Sequence, residues 1–320
     1  MQFHDRPSVC IAIPTYNRES VLVETIRQVL VQNPPADEVL VIDQTVGHEP
    51  QTETFLFNED KCGRIRWIKQ GPPNLPAARN RALEETNCEI LIFIDDDVEL
   101  PTGFVEKHLK NYSNPKVVSV AGRIVQPWKS VPTMKTWPRI MDHRFFPLDS
   151  IERVEGVASF GGGNHSIRVH EFKKIGGYDN NYIGWAYRED SDASIRIWKA
   201  DGMIVFDPDA CLIHLGVPSG GCRLEVNKKL LPEWKVSFPA TYFAIRHLFP
   251  TRWFWYDLLI GNVRRYILRK DNVFRPWRLP WALISYGYSF LLAMRLCINN
   301  SNHFFNEPHH KKHRTGQVGR

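Results

Sequence analysis

Residues 88–97 read Cys-Glu-Ile-Leu-Ile-Phe-Ile-Asp-Asp-Asp, an apolar run that ends in three consecutive acids. The run is continuous rather than alternating and is rich in β-branched residues, which predicts a buried central strand at Ile90–Ile94. The aspartates follow its carboxyl end, where open α/β sheets bind their ligands. Carboxylates about 6 Å apart repel by roughly 3 kcal/mol at an effective dielectric near 20, and a cation reverses that sign. The stretch therefore predicts a central strand with a cation site at its end.

The segments on either side of this strand alternate between strand and helix patterns. This alternation predicts an α/β fold with a mixed, mainly parallel sheet and helices on both faces. In the first half we predict strands at Val9–Ile13, Glu38–Ile42, Ile65–Lys69 and Val117–Val125, and helices at Glu19–Gln32, Pro76–Glu85 and Gly103–Asn111. In the second half we predict strands at Asn164–Val169, Met203–Phe206 and Ala210–His214, and helices at His170–Ile175 and Glu189–Asp201.

Composition and charge divide the chain near residue 238. A hydrophobic content of 43% and a charged content of 24% over 320 residues are those of a folded protein. After residue 240 there are thirteen Lys/Arg and three Asp/Glu, so this part carries +10 and the first 240 residues carry −4 of the total of +6. We predict a main region at 1–238, amphipathic aromatic and basic helices at 239–298, and a basic disordered tail at 299–320.

The six cysteines form no C-x-x-C pair, and several lie in strand-like runs. This spacing argues against a zinc site or a disulfide framework and is typical of a reducing compartment. The N-terminus has no signal-peptide pattern. We therefore expect a cytoplasmic protein.

Polar residues follow other strands as well as the central one. The turn Pro14–Arg18 contains an aromatic ring that can hold a nucleobase, or it is an ordinary turn with Asn17 as a helix cap. Asp43 can accept a hydrogen bond from a base or a ribose, or it caps a turn with Thr45. Arg79 can neutralise a diphosphate or brace a base, or it is simply solvated on its helix.

The acid triplet carries the most chemistry. Hard oxygen ligands select Mg²⁺ or Mn²⁺, and such an ion bridging a diphosphate stabilises a departing nucleotide. The alternative is a capped turn of solvated acids. We favour the ion site over this alternative.

The order of these motifs resembles that of family 2 glycosyltransferases, inverting enzymes with the GT-A fold. The resemblance covers about residues 8–216. In the first half it rests on the Pro14–Arg18 turn, Asp43, Arg79-Asn80 and the Asp95-x-Asp97 motif. In the second half it rests on Gly162-Gly163-Asn164, Ile175–Asp179, Glu189-Asp190, Asp207-Pro208 and His214.

The resemblance implies a nucleotide-binding half at about 8–125, an acceptor half at about 126–238, and a role for each matching residue. Residues expected to hold the nucleotide-sugar are Pro14, Tyr16, Asp43, Arg79, Asp95 and Asp96. Residues expected to ligate Mn²⁺ or Mg²⁺ are Asp95, Asp97 and His214, although the histidine is equally compatible with a structural role. Asp190 is expected to be the general base for the acceptor hydroxyl, or Glu189 if the motif register differs by one.

The acceptor side departs from the family pattern. Tyr187 and Arg188 stand directly before Glu189, where many relatives have small residues. We expect Trp185 to stack on an acceptor sugar or to lie in the core. We expect Arg188 to narrow the acceptor site or to bind an anionic acceptor.

The C-terminal part combines an aromatic cluster at Trp253–Tyr256 with basic pairs at Arg264-Arg265 and Arg269-Lys270. Interfacial helices are built in this way, and each basic residue near an anionic leaflet contributes about 1 kcal/mol. We predict a peripheral protein of the cytoplasmic membrane face that acts in polysaccharide biosynthesis on a glycan or lipid-linked acceptor. Packing on the catalytic domain or on a second subunit is the alternative, and Arg295 disfavours a spanning helix at 281–298.

The predicted activity is transfer of a hexose or deoxyhexose from a nucleotide-diphospho-sugar, with no nucleic acid as partner. Two other classes remain compatible with a D-x-D motif. One is a phosphoryl-transfer enzyme, which needs its acids on an early strand with a later Lys and Ser/Thr. The other is a non-catalytic, membrane-bound protein that binds a nucleotide-sugar or a polysaccharide, which the intact Glu189-Asp190 pair disfavours.

Overall fold

One mixed sheet forms the centre of the larger part of the chain. The structure is a computed structural model that describes residues 6–128, 149–222 and 233–299. The strands are β1 (Val9–Thr15), β2 (Glu38–Asp43), β3 (Arg66–Lys69), β4 (Ile90–Ile94), β5 (Val98–Glu99), β6 (Val117–Val125), β7 (Val154–Glu155), β8 (Asn164–Arg168) and β9 (Met203–His214). Within the described residues their order is β3-β2-β1-β4-β8-β6-β9-β5, and β7 pairs with β9.

Helices cover both faces of this sheet. They are α1 (Ser20–Leu30), α2 (Pro50–Lys61), α3 (Leu75–Glu85), α4 (Phe104–Leu109), α5 (Val169–Lys174) and α6 (Glu189–Lys199). The five residues of β4 are all buried, and they alternate between two cores. Ile90, Ile92 and Ile94 pack on one face, while Leu91 and Phe93 pack on the other. Each such side chain contributes about 1.5–3 kcal/mol of burial free energy, which explains a strand that is apolar throughout.

The observed sheet confirms the predicted α/β architecture. Strands β1, β2, β3 and β4 are parallel, whereas β8 is antiparallel to β4 and β6. The two segments predicted at 203–206 and 210–214 form the single strand β9, with an irregularity in its pairing after Gly122. Helix α2 has no counterpart among the sequence predictions. It buries only Thr52, Leu56 and Glu59, so it lacks the apolar stripe that marks an amphipathic helix.

The chain divides into two compact units after Pro232. The second unit contains the helix Glu233–Phe243, which continues with π-helical geometry over Ala244–Leu248, and the long helix Leu279–Asn299. Between them lie Arg252–Tyr256, Asp257–Gly261, Val263–Ile267, Lys270–Val273 and the 3₁₀ turn Pro276–Arg278. The two long helices are joined by a hydrogen bond of 2.7 Å between the Ser237 and Ser289 hydroxyls. The predicted tail beyond residue 299 lies outside the described residues, as do residues 129–148 and 223–232 of the predicted acceptor half.

One helical segment of the second unit is long and apolar enough to cross a membrane. It runs over Pro276–Asn299, 24 residues with a window of mean hydropathy 1.4, and 17% of that window is buried. Exposed residues along it include Trp277, Trp281, Leu283, Ile284 and Leu291. Length and composition alone do not separate a spanning helix from an interfacial one, so this segment is compatible with either.

A buried histidine links helix α4 to the middle of the sheet. The His108 ring lies 2.9 Å from Ser166 Oγ through Nδ1 and 3.0 Å from Asn164 Oδ1 through Nε2. The Tyr112 hydroxyl donates to Ser166 Oγ at 2.8 Å, so the serine can donate onward to an unprotonated Nδ1. Burial lowers the pKa of His108 to about 4, and the neutral ring fits this chain of hydrogen bonds.

Replacing His108 with Gln is expected to reduce the acid sensitivity of folding. The unfolded chain takes up a proton near pH 6.5, whereas folded His108 takes it up near pH 4. The free energy of unfolding therefore falls by roughly 3 kcal/mol at most as pH drops through that window, and the variant lacks this term. Urea unfolding at pH 7 and pH 4.5 measures it, with exposed His170→Gln as the control. An equal loss in wild type and His108→Gln would contradict the assignment.

Candidate active site

The carboxyl ends of the parallel strands meet at one edge of the sheet. Thr15 pairs with Asp43 in the register of β1 and β2, and β4 ends beside them at Ile94. Strand β8 runs in the opposite direction, so the glycines that precede it reach the same edge. The short strand β5 pairs Val98 with His214, which brings the end of β9 next to the acid triplet.

Three side chains at this edge form a candidate metal centre. Within the described residues, Asp95, Asp97 and His214 each offer one donor atom, and these atoms all lie within 4.8 Å of one another. His214 Nε2 is 3.3 Å from Asp97 Oδ1 and 3.6 Å from Asp95 Oδ2. Burial and the neighbouring Asp95 carboxylate raise the pKa of Asp97. Two carboxylate oxygens and an imidazole nitrogen suit Mn²⁺, so the residues present fit the predicted ion.

Arg18 orients Asp97 toward this centre. Its Nη2 donates to Asp97 Oδ2 at 3.0 Å, and the backbone N–H of Val217 donates to the same oxygen at 2.9 Å. Oδ1 is therefore the oxygen that faces His214. Arg18 also donates through Nη1 to the carbonyls of Val217 and Ser219, which fastens the loop after β9. Sequence reasoning quoted Arg18 within the turn but gave it no role, because its partners lie about 80 and 200 residues away.

Asp96 lies beneath the site and does not face a ligand. Its carboxylate accepts hydrogen bonds from Thr15 Oγ1 at 2.8 Å and from Arg18 Nε at 3.0 Å, and the residue is buried. Burial raises the pKa of its carboxyl to about 7, against the opposing effect of Arg18. The expectation that Asp96 binds the nucleotide-sugar therefore differs from the geometry, in which Asp96 braces the turn after β1.

Asp43 is enclosed by four donors. It accepts from the Thr45 N–H, the Trp67 indole N–H and His48 Nε2 at 2.8–2.9 Å, and Lys69 Nζ lies 3.0 Å away. Burial opposes its ionisation, but these donors hold the pKa of Asp43 below its usual range. The carboxylate is not exposed, which differs from the expectation that it faces a nucleoside.

The two predicted residues of the first turn stay near the surface of this edge. Pro14 ends up inside β1 opposite Ile42, and Pro14 and Tyr16 are both half-buried. The Tyr16 carbonyl accepts a hydrogen bond of 2.7 Å from the N–H of Gly221, so the turn and the loop after β9 are joined.

Arg79 is buried instead of lying on a helix surface. It is 2% exposed, forms an ion pair with Glu189, and donates through Nη2 to the Gly162 carbonyl at 2.8 Å. This differs from the expectation that it holds the nucleoside. Sequence spacing could not reveal the pairing, because α3 and α6 are about 110 residues apart in the chain.

Glu189 and Asp190 occupy different environments at the start of α6. Glu189 is 3% exposed, and burial raises the pKa of its carboxyl to about 7 despite the Arg79 cation. Asp190 is half-buried, and its Oδ2 accepts a hydrogen bond of 3.1 Å from the Gly162 N–H. Its other oxygen accepts from the Ser191 N–H at 2.7 Å. Asp190 is therefore the more accessible of the two carboxylates.

The residues before this pair form an aromatic platform. Trp185 and Tyr187 stack with ring centroids 4.7 Å apart and an angle of 9°, and the Arg188 guanidinium lies 5.5 Å from the Tyr187 ring. Ala186 and Arg188 both have left-handed backbone conformations, with φ of 53° and 70°. Such conformations cost energy for residues other than glycine, and they recur at functional sites.

The strand order, with an acid and histidine cluster at the strand ends, defines a GT-A glycosyltransferase fold. This chain belongs to glycosyl transferase family 2, and the sequence model of that family matches residues 10–176. A second family, described as the N-terminal domain of galactosyltransferase, matches residues 143–214.

Two curated relatives illustrate the similarity. The probable glycosyltransferase YdaM of Bacillus subtilis (strain 168) is 24% identical over 223 residues, covering 64% of this chain and 50% of that protein. The GalNAc(5)-diNAcBac-PP-undecaprenol beta-1,3-glucosyltransferase of Campylobacter jejuni is 28% identical over 102 residues, covering 30% and 32%. The chain spans about half or less of the length of the curated relatives it matches.

Two solved structures share the fold. The mannosyltransferase PcManGT from Pyrobaculum calidifontis, solved with GDP-Man and Mn²⁺, has a TM-score of 0.54 at 17% identity over 95% of this chain and 82% of that one. TarS from S. aureus has a TM-score of 0.51 at 13% identity, covering 91% of both chains.

Replacing Arg18 with Gln is expected to weaken Mn²⁺ binding by about tenfold or more. Residues that orient a metal ligand typically contribute 10- to 100-fold to metal affinity, and Gln cannot hold Asp97 and the loop together. Titration of free Mn²⁺ by electron paramagnetic resonance measures the affinity without any turnover. Arg27→Gln on α1 is the matched control, since Arg27 is exposed. Unchanged affinity in a folded Arg18→Gln protein would show that Arg18 does not orient the site.

Proposed function

We propose that this chain is an inverting, metal-dependent glycosyltransferase. It moves a hexose or deoxyhexose from a nucleotide-diphospho-sugar to a hydroxyl of a glycan or lipid-linked acceptor. The observation that carries the proposal is that Asp95 and Asp190 are hydrogen-bonded to two consecutive glycines. The Asp95 N–H donates to the Gly163 carbonyl at 3.3 Å, and the Gly162 N–H donates to Asp190. A candidate metal ligand and a candidate base are therefore held by the same glycine segment.

This arrangement supports a division of labour between the two acids. When bound at Asp95, Asp97 and His214, a divalent cation supplies the charge that stabilises the leaving nucleoside diphosphate. Asp190 takes the proton of the acceptor hydroxyl. The oxygen of that hydroxyl attacks the anomeric carbon on the side opposite the leaving group. Attack from that side inverts the configuration. The hydrogen bond from Gly162 holds the Asp190 carboxylate during this step.

A side chain at either position of this segment would displace a neighbouring side chain of the site. A Cβ at Gly163 would lie 2.2 Å from Asp95 Oδ2, and one at Gly162 would lie 2.8 Å from Arg79 Nη2. The first contact is too close for any side chain to be accepted without moving the metal ligand. This close packing supports a site in which the distance between the Asp95 and Asp190 carboxylates is fixed by the glycine segment.

A carbohydrate acceptor fits the aromatic platform at Trp185 and Tyr187. Aromatic rings offer apolar faces to sugars, and these two rings lie in the segment just before α6, which carries the candidate base. A nearby guanidinium, that of Arg188, favours an acceptor that carries a carboxylate or a phosphate. The solved mannosyltransferase bound to GDP-Man and Mn²⁺ is consistent with the proposed donor class.

The C-terminal unit supports a site of action at an anionic membrane surface. Its exposed aromatic residues include Trp255, Trp277 and Trp281, and its exposed basic residues include Arg264 and Arg265. Aromatic and basic residues together are typical of segments that adsorb to the cytoplasmic leaflet. The Campylobacter relative carries a PP-undecaprenol substrate in its name, which agrees with a lipid-linked acceptor.

The variants Asp97→Ala and Asp190→Asn are expected to fail in different ways. Asp97→Ala loses Mn²⁺ dependence together with turnover, because the ion loses a ligand. Asp190→Asn keeps donor binding, while turnover falls by a factor on the order of 10² to 10⁴, the usual contribution of a general base. Transfer from a panel of nucleotide sugars measures turnover, and the thermal shift given by each donor with Mn²⁺ measures binding.

The control for both variants is Asp209→Asn, an exposed acid on β9 away from the cluster. Normal turnover by Asp190→Asn would refute its assignment as the base. A wild-type protein that binds none of the donors, at saturating Mn²⁺, would refute the proposed function as a whole.

The double variant Arg264→Glu/Arg265→Glu is expected to lose binding to anionic vesicles. Two basic residues contribute about 2 kcal/mol at such a surface, and the reversed charges add repulsion. Flotation of the full chain with vesicles of 30% phosphatidylserine, roughly the charge of a cytoplasmic leaflet, measures this binding. The exposed pair Lys173→Glu/Lys174→Glu on α5 is the matched control. Equal flotation of the variant and the wild type would argue against electrostatic adsorption through this unit.

A further inference from the structure

Arg79 is a buried cation that contacts both the start of α6 and the glycine segment before β8. Its guanidinium pairs with Glu189 and donates to the Gly162 carbonyl. The guanidinium carbon, Cζ, lies 5.5 Å from the centroid of the Tyr178 ring. A charge this deeply buried is strongly unfavourable unless it is paired, so the position of Arg79 is set by these partners. A nucleotide has no access to a guanidinium that is 2% exposed.

Gly162 connects Arg79 to Asp190 through the two peptide groups that flank its Cα. Its carbonyl accepts from Arg79 Nη2 at 2.8 Å, and its N–H donates to Asp190 Oδ2 at 3.1 Å. The N–H and the carbonyl belong to the two planar peptide groups on either side of the Gly162 Cα, so hydrogen bonds to both limit rotation about that Cα. Arg79 thereby restrains the donor that holds the candidate base.

Glu189 completes the restraint from the other direction. It directly precedes Asp190 at the start of α6, and its buried carboxylate is the ion-pair partner of Arg79. One guanidinium therefore grips the helix start through Glu189 and the glycine segment through Gly162. Asp190 is attached to both, by its backbone and by its carboxylate.

The next residue of α3 fixes a second part of the acceptor half. Asn80 Nδ2 donates to the Tyr178 carbonyl at 2.8 Å, and the Tyr178 N–H donates to Asn80 Oδ1 at 2.8 Å. This two-way pairing resembles the exchange between neighbouring strands. A Cβ at Gly177 would lie 2.6 Å from Asn80 Oδ1, so the glycine permits the approach. Two consecutive residues of one helix thus hold the acceptor half in register.

We propose that Arg79 is a positioning residue for Asp190 and not a nucleotide-binding residue. This inference rests on the proposed function, because it requires Asp190 to be the base. Loss of the guanidinium removes the restraints on the Gly162 carbonyl and on the start of α6 together. The acceptor hydroxyl then meets a carboxylate in the wrong place, while the donor site at the other strand ends remains intact.

The test separates turnover from donor binding in Arg79→Gln and Arg79→Lys. We expect kcat to fall about 10- to 100-fold in Arg79→Gln, since a displacement of about 1 Å can cost 10²-fold, while donor affinity changes by less than about threefold. Lys keeps a charge beside Glu189 but cannot hold both partners, so Arg79→Lys is expected to lie in between. Arg81→Gln is the matched control on the same helix, since Arg81 is partly exposed and pairs with Glu85 one turn further along α3.

Each outcome decides the question. Loss of donor-induced thermal shift in Arg79→Gln, as in Asp97→Ala, would make Arg79 a nucleotide-binding residue and overturn the proposal. Unchanged kcat would overturn it as well, and in both cases the proposed function would stand. A wild type with neither donor binding nor transfer would remove both.

The double variant Arg79→Gln/Glu189→Gln covers the case in which a single variant fails to fold. It removes both buried charges and keeps an amide pair between the helices. We expect it to melt near the wild-type temperature and still to show the reduced kcat with unchanged donor affinity. Wild-type turnover by this variant would show that the pair serves folding alone.

Discussion

The neutralisation of buried carboxylates at one edge of the sheet is the constraint on which this site depends. Asp43, Asp96, Asp97 and Glu189 are all buried, the first three at strand ends and Glu189 at the start of α6, and a buried carboxylate without a partner is penalised by several kcal/mol. Arg18 pairs with Asp96 and Asp97, and Arg79 pairs with Glu189. Asp95, Asp97 Oδ1 and Asp190 lie outside these ion pairs, and they are the carboxylate groups that we propose for the chemistry.

The two arginines divide the site into two supported halves. Arg18 links the turn after β1 to the candidate metal ligand Asp97 and to the loop after β9. Arg79 links α3 to the glycine segment and to the start of α6. Each arginine connects parts of the chain that are roughly 80 to 200 residues apart. The candidate cation site and the proposed base are thereby supported by separate networks, and Gly162 and Gly163 join the two.

Much of the fold was readable from local pattern. The strand at Ile90–Ile94 was predicted with its observed bounds because both of its faces are covered, which leaves a continuous apolar run. The helix predicted at Glu189–Asp201 from its apolar positions is observed at Glu189–Lys199, and the acids at its start mark the observed N-terminus. Helix α2 was not predicted because it buries only three side chains and therefore has no apolar stripe. Strands β5 and β7 are too short for a periodic signal. Their pairing depends on partners elsewhere in the chain.

The sequence by itself determined the family, the strand that carries the acids and the identity of Asp95, Asp97 and His214 as a possible ligand set, because residue order and local periodicity encode these features. Only the tertiary structure decided what the other polar residues do. Arg79, Asp96 and Asp43 were expected beside a nucleotide, yet they are buried in pairs with Glu189, Arg18 and His48. The reason is physical: the role of a charged side chain is set by the opposite charge it meets, and that partner is chosen by how strands and helices pack.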